Sequence, residues 1–415
     1  MAWRNIFRQK RRTLIALSAL IVGLAGLVVF QGYIARMMTN FRDGTILSGL
    51  GHVQVAGGEG YWESGEYDPY KYLLADPESA LKALRSQPGV LAAFPSTGFT
   101  SIAGFGEKSV TLLVKAYPAE RMYFTPSAAP GSPAGSGSPT APAPADRFRL
   151  GLLVAGAAPG PEERDCLVLG ETAARILGAK LGDVVTLMGI LPAGALNGRD
   201  FRVSGIYRDA GRDKIFAFTD YATAMDFTLI DRPPVVHAIL DDAGRTDAVL
   251  AALPKDLPRR GWKELAPFFI QVNTMFAGFL QVIRAIILIV TLFILGNTMN
   301  RIVFERMREW GTLRAIGVPR RSLLALVVLE GSFLGLAGSA LGIAFGFALS
   351  RIINLCGGLP FSQGAGFPVF MIKLAPDARA VWLNAIPAVA TAALASLFPA
   401  RRAVRMTPAE CLRQI

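Results

Sequence analysis

The apolar residues of this chain are gathered into long stretches separated by polar segments of very unequal length. A helix that crosses roughly 30 Å of hydrocarbon needs about 20 mostly apolar residues. Four stretches meet that need: 14–34, which has no charge; 276–300, whose one charge is Arg284; 322–350, whose one charge is Glu330; and 380–400, which contains Pro387. A membrane helix tolerates such a proline as a kink when its neighbours satisfy the freed carbonyl. The first stretch follows basic residues, as the core of a cleaved signal peptide would, and Arg11-Arg12 imitates a twin-arginine signal. Its apolar run is longer than a signal core, and Gln31 to Arg36 offers no small-x-small cleavage site, so it reads as an uncleaved anchor.

Charge orients these spans. Of 43 Lys and Arg residues, 15 fall in the 49 positions of 1–13, 301–321 and 401–415. The excess of basic residues on cytoplasmic loops places those three segments, and both termini, inside. An even number of spans follows, and four satisfies it. The formal net charge of +12 therefore points to loops held near anionic lipid rather than to nucleic acid, in a chain that is 52% hydrophobic and 18% charged. Two histidines and three widely spaced cysteines, Cys166, Cys356 and Cys411, leave no zinc or redox motif, and nothing around Cys166 and Cys356 favours a bond between them.

Residues 35–275 then lie outside, followed later by a shorter outer loop at 351–379. The first of these is far too long for a connection and must fold by itself. Short strand-like runs at 52–55 and 110–114 alternate with a helix over Pro77–Ser86, with Asp76 as its N-cap. Residues 125–161 are rich in Pro, Ala, Gly and Ser and read as a mobile insertion or linker between two modules. The second module resumes near Asp165, with a helix at Glu171–Leu177 and strands at 183–188 and 200–207. The expected fold class is an α-helical membrane protein with four transmembrane helices, plus a large α+β extracytoplasmic domain between helices 1 and 2. That domain is either a scaffold or a docking surface.

On the inner side, Val303, Met307 and Trp310 recur at helical spacing, and Glu305, Arg306, Arg308 and Glu309 decorate the opposite side. A short amphipathic helix is predicted to continue out of the second span, with Gly311 and Gly317 allowing a turn and Pro319 blocking further helix. By itself such a helix also fits an interfacial one with its arginines at headgroups. In the third span Gly331, Gly335, Gly338, Gly342 and Gly346 share one face, which lets another helix of the same subunit, or of a dimer mate, approach closely. Glu330, some two turns in, is expected to pair with an arginine near the inner interface, Arg301 or Arg321 bordering that depth; a proton or ligand site is the other reading. Arg284 is expected to snorkel outward or to meet an anionic headgroup.

At these residues the chain resembles a known family. Glu305 through Gly317, with Arg314 inside it and Leu329-Glu330-Gly331 following, is similar to the signature of FtsX/MacB-type permeases of ATP-binding cassette (ABC) transporters. The opening Ala2–Arg8, the tail Leu397–Ala403 with Pro408–Arg413, and Val168–Gly170 through Ile206 resemble the family's start, end and outer domain. Gly51–Val55 and Ala195–Phe201 look most like the lipoprotein-releasing, LolC/LolE-like branch. Trp310 departs from the small aliphatic residue more usual there, and the Pro/Gly-rich insertion is not typical.

The resemblance implies a transport subunit that is not itself an enzyme, sits in a bacterial inner membrane and pairs with a second permease copy or paralogue. It implies a cytoplasmic ABC ATPase beneath, which holds the ATP and Mg, so that this chain binds no cofactor. Glu305, Arg306, Arg308, Glu309, Trp310, Gly311, Arg314 and Gly317 would form the coupling element, and motion would pass to the outer domain by mechanotransmission. Membrane lipids and a periplasmic adaptor or lipoprotein are the other implied partners. The cargo is a lipoprotein or lipid-like molecule, or a small hydrophobic compound as in MacB-like efflux; an FtsX-like signal to a cell-wall hydrolase is the reading outside transport. An enzyme is disfavoured, since no nucleophile–base pair is apparent. The nearest phosphate-loop string, Gly104 to Ser109, lacks the Gly-Lys-Ser ending.

Overall fold

The computed structural model describes residues 10–65, 68–126, 145–191, 194–208, 216–361 and 370–405. The described parts of Met1–Thr39, Val272–Phe361 and Met371–Ile415 form a helical unit, and those of Asn40–Gln271 and Ser362–Phe370 form a second, sheet-based unit.

The first described element is α1 (Lys10–Thr45), followed by one π-type turn, Ile46–Leu50. Gly49 (φ 107°) and Gly51 (φ 77°) end it, in a left-handed region that a side chain disfavours. The sheet unit follows with β1 (Val53–Ala56), α2 (Pro77–Arg85), β2 (Val90–Phe105), β3 (Lys108–Tyr117), β4 (Met122–Pro126) and β5 (Phe148–Gly156). Then come β6 (Cys166–Gly170), α3 (Glu171–Leu177), β7 (Val184–Ile190), β8 (Leu196–Arg208), β9 (Phe216–Asp220) and α4 (Tyr221–Thr228). It closes with β10 (Val235–Leu240), α5 (Thr246–Ala252) and β11 (Arg259–Gly261). Asp76 caps α2 as the sequence predicts, its carboxylate accepting from the Ser79 amide at 3.0 Å.

The strands form one 11-stranded sheet in the order β11-β1-β10-β2-β3-β9-β6-β8-β5-β4, with β7 bridging β2 and β8. Strand β2 is the spine: Val90–Ser96 pairs with β10, and Thr97–Phe105 pairs with β3. Pro95, which cannot donate a ladder hydrogen bond, sits beside the switch of partner. The two modules are therefore not consecutive in sequence, as expected above, but interleaved. One end of the sheet takes β1 from before the presumed insertion and β10 and β11 from long after it. The insertion itself is shorter than 125–161, because Phe148–Gly156 is a strand, parallel to β4 from Met122↔Phe148 onward. Only 127–144 of that stretch lies outside the described residues. Gly104–Ser109 is the tip of the β2–β3 hairpin, with Phe105 opposite Lys108, and not a phosphate loop.

The core of this unit is aromatic. Phe148 is wholly buried, with ring centroids 4.9 Å from Tyr117, 5.1 Å from Phe94 and 5.4 Å from His237. His237 holds the end of the first helix in place. Its Nδ1 donates to the Leu50 carbonyl at 3.0 Å and its Nε2 accepts from Ser96 Oγ at 2.7 Å, the tautomer this network requires. Burial pushes its pKa down to about 4, and the same cause takes His52 to about 4. His52 Nδ1 accepts from the Leu240 amide at 3.1 Å.

The helical unit adds α6 (Pro267–Glu305), α7 (Met307–Ala315), α8 (Arg320–Leu355) and α9 (Ala378–Arg405). Three described helical stretches, Leu17–Leu50, α6 and α8, are long and apolar enough to cross a membrane. All outrun the spans read from hydropathy, since helix continues into polar flanks once started. Helix α9, which holds the expected fourth span, runs unbroken past Pro387 and Pro399. Thr391 Oγ1 donates to the Pro387 carbonyl at 2.7 Å. Cys166 and Cys356 are free thiols; Cys411 and the 408–413 tail lie outside the described residues, as does all of Ala2–Arg8.

Candidate functional site

The glycine face of α8 divides between two neighbours. A Cβ on Gly331 would meet Ser396 Cβ at 2.6 Å and one on Gly335 would meet Ala392 Cβ at 2.5 Å, both on α9. On Gly338 it would overlap Leu20, on Gly342 it would lie 2.9 Å from Leu24 Cβ, and on Gly346 2.7 Å from Val28 Cβ, all on α1. All five glycines thus approach helices of the same chain. Helix α6 is the opposite case. Only 11% of its apolar stretch is buried, against 44% for α8, and Phe279, Val282, Ile286, Ile289 and Phe293 are exposed. Arg284, half-buried on α6, donates to Gln281 Oε1 at 3.1 Å, one turn toward the N-terminal end.

The predicted coupling residues occupy the corner where α6 gives way to α7. One continuous amphipathic helix was expected; instead Arg306 leaves helical geometry (φ −103°, ψ 9°) and α7 starts afresh at Met307. The apolar face expected from Val303, Met307 and Trp310 is present: all three are buried with Val327 of α8 and Ala400 of α9. Trp310 therefore supports the corner from inside. Glu305, Arg308, Glu309 and Gly317 are exposed, Arg314 is half-buried and Gly311 is buried. The end of α7 is a Schellman turn: the Val318 amide donates to Leu313 O and the Gly317 amide to Arg314 O, each at 3.1 Å, with Gly317 at φ 101°. Pro319 then caps α8.

Glu330, 5% exposed, has the arginine partner the sequence demands, but it is not Arg301 or Arg321. Arg306 Nη1 reaches its Oε2 at 3.4 Å, while Arg306 Nε lies 3.1 Å from Glu309 Oε2. Counting depth along straight spans could not reveal this, because the break at Arg306 is what turns that side chain toward α8. A second polar contact escaped the sequence altogether. Asn384, 1% exposed on α9, donates from Nδ2 to Gln31 Oε1 on α1 at 2.8 Å. A lone amide in each apolar stretch was the signal available.

Long apolar helices, a charged corner between two of them and a large separately folded α+β insert are the parts of a membrane permease that carries a folded domain. Residues 13–255 match the MacB-like periplasmic core domain and residues 282–408 the FtsX-like permease C-terminal region. The chain belongs to this FtsX/MacB-type permease family. It is 25% identical over 273 residues to the lipoprotein-releasing system transmembrane protein LolC of Neisseria meningitidis serogroup B, covering 61% of this chain and 66% of that one. It is 25% identical over 279 residues to LolE of Haemophilus influenzae, covering 60% and 65%. The match thus spans just under two thirds of these relatives' lengths. The crystal structure of the periplasmic region of MacB from Actinobacillus actinomycetemcomitans covers 53% of this chain and 92% of that one, at 16% identity and a TM-score of 0.34.

Proposed function

We propose that the chain is the permease subunit of an ABC exporter that releases lipoprotein or lipid-like cargo from a bacterial inner membrane by mechanotransmission. It crosses the membrane four times, with both termini inside and the sheet unit in the periplasm. The reading rests on the corner at Arg306: a short helix with exposed Glu305, Arg308 and Glu309 outside and buried Met307 and Trp310 inside suits docking on a separate, soluble motor. ATP hydrolysis belongs to that ATPase, and a second permease copy or paralogue completes the complex, the exposed apolar face of α6 being turned to lipid or to that copy. Two relatives named for lipoprotein release support the cargo class. The sheet unit's match to the MacB-like core domain favours one alternative, efflux of small hydrophobic compounds.

Isolation of the tagged chain from its own membranes tests the motor assignment, with an ABC ATPase expected among the co-purifying proteins. Depletion of the chain is expected to leave lipoproteins in the inner membrane. Altered drug sensitivity with normal lipoprotein sorting would favour efflux instead, and cell-wall defects alone would favour signalling.

A further inference from the structure

Arg306 lies where α6 stops and α7 starts, and its guanidinium reaches one carboxylate on α7 and another on α8. Glu309, on α7, is exposed and 3.1 Å away; Glu330, on α8, is buried and 3.4 Å away. The two helices are also tied by apolar contact, Met307 and Trp310 packing on Val327 one turn before Glu330. The residue after Glu330 is Gly331, the first of the stripe, where α8 fits against Ser396 of α9. A charge buried among apolar helices holds its partner more firmly than a surface pair does, since leaving either group alone there is costly. An apolar contact permits sliding, whereas a guanidinium shared by two carboxylates fixes direction.

We propose that Arg306 is a positioning residue that passes movement of α7 to α8: a displacement of α7 carries the guanidinium with it, and Glu330 follows, shifting α8 along its glycine face. The proposal rests on the reading of α7 as the motor-docking element, but one arm of its test does not.

That arm uses the purified full-length chain without nucleotide, read by amide hydrogen exchange. Arg306→Gln is expected to speed exchange in the α8 turns around Glu330, and Glu330→Gln to speed it in Met307–Ala315, each at least about fivefold, with the double variant no worse than the poorer single. Additive losses, or no reciprocal effect, would overturn the proposal. The second arm uses the complex with its co-purified ATPase, with and without ATP and vanadate. In the unaltered complex both α7 and the first turns of α8 are expected to change exchange on trapping. In Arg306→Gln and Glu330→Gln, α7 is expected to respond and α8 not. Arg306→Lys keeps the charge but not the fork; it should assemble normally and respond weakly. Undiminished response of α8 in all three variants would reduce the pair to a staple and overturn the proposal. Failure of any ATPase to co-purify with the unaltered chain would count against the motor reading alone, the first arm still deciding the coupling of α7 to α8.

Discussion

The sheet unit and the helical unit place their large and small apolar residues by opposite rules. In the sheet unit the large rings, Phe94, Tyr117, Phe148 and Phe218, are inside. In the helical unit the close approaches along α8 are at Gly331, Gly335, Gly338, Gly342 and Gly346, while Phe279, Phe293 and Phe345 are exposed. Water rewards burial of big side chains, so a water-soluble core is filled with them. Lipid gives no such reward, and helices associate there by close backbone approach, which small residues allow. One unit is thus broken by removing atoms and the other by adding them.

The largest effect that would sharpen this contrast is in the sheet unit. Phe148→Ala should cost about 3–5 kcal/mol, read as a lower unfolding midpoint of the purified chain with loss of amide protection in Met122–Phe124. The equivalent truncation on α6, Phe279→Ala, should leave that midpoint unmoved; a comparable loss there would break the contrast. Adding atoms is the helical unit's weakness. Gly342→Val puts methyl groups against Leu24 and the Ile21 carbonyl, 3.1 Å from the Cβ position, and should cost about 1–3 kcal/mol, seen as earlier heat-induced aggregation in detergent.

Acid should act on the sheet unit, through its histidines. Both imidazoles stay neutral in the fold down to about pH 4, whereas in the unfolded chain they take up protons near 6.5. The unfolded state binds more protons in that window, so stability is full above pH 6.5 and drains as pH falls toward 4. Between pH 7 and pH 5 the loss should be roughly 1–2 kcal/mol per histidine, and His237→Gln should flatten the pH dependence of the unfolding midpoint. A profile unchanged by that substitution would show that the ring is not what the acid titrates. The smallest effect is expected at Gly278, on α6, where a Cβ would meet nothing within 4 Å. Gly278→Ala should be neutral or stabilise by less than about 1 kcal/mol in the same aggregation assay.

Much of this was legible in the sequence, for different reasons in the two units. Apolar length located the long helices, and local signals located Asp76 and its helix, Glu171–Leu177, and the buried side of the 303–310 segment. The interleaving of the sheet was hidden, because the pairing of β1 with β10 joins residues nearly two hundred positions apart and no local pattern records it. Phe148–Gly156 was hidden by the Pro/Gly-rich composition around it. At the Arg306 corner, the requirement that Glu330 be paired could be read directly, but the identity of its partner depended on a break in helix geometry at one residue.

Strands β1 and β11, the first and last of the sheet unit, are hydrogen-bonded neighbours, Val53 lying opposite Gly261, and the Trp262 amide donates to the His52 carbonyl at 3.0 Å. A segment of more than two hundred residues thus begins and finishes side by side, like an exchangeable cartridge. Heads of different size or binding taste, provided their own ends are equally close, can be traded in its place without altering the gap the flanking chain must bridge.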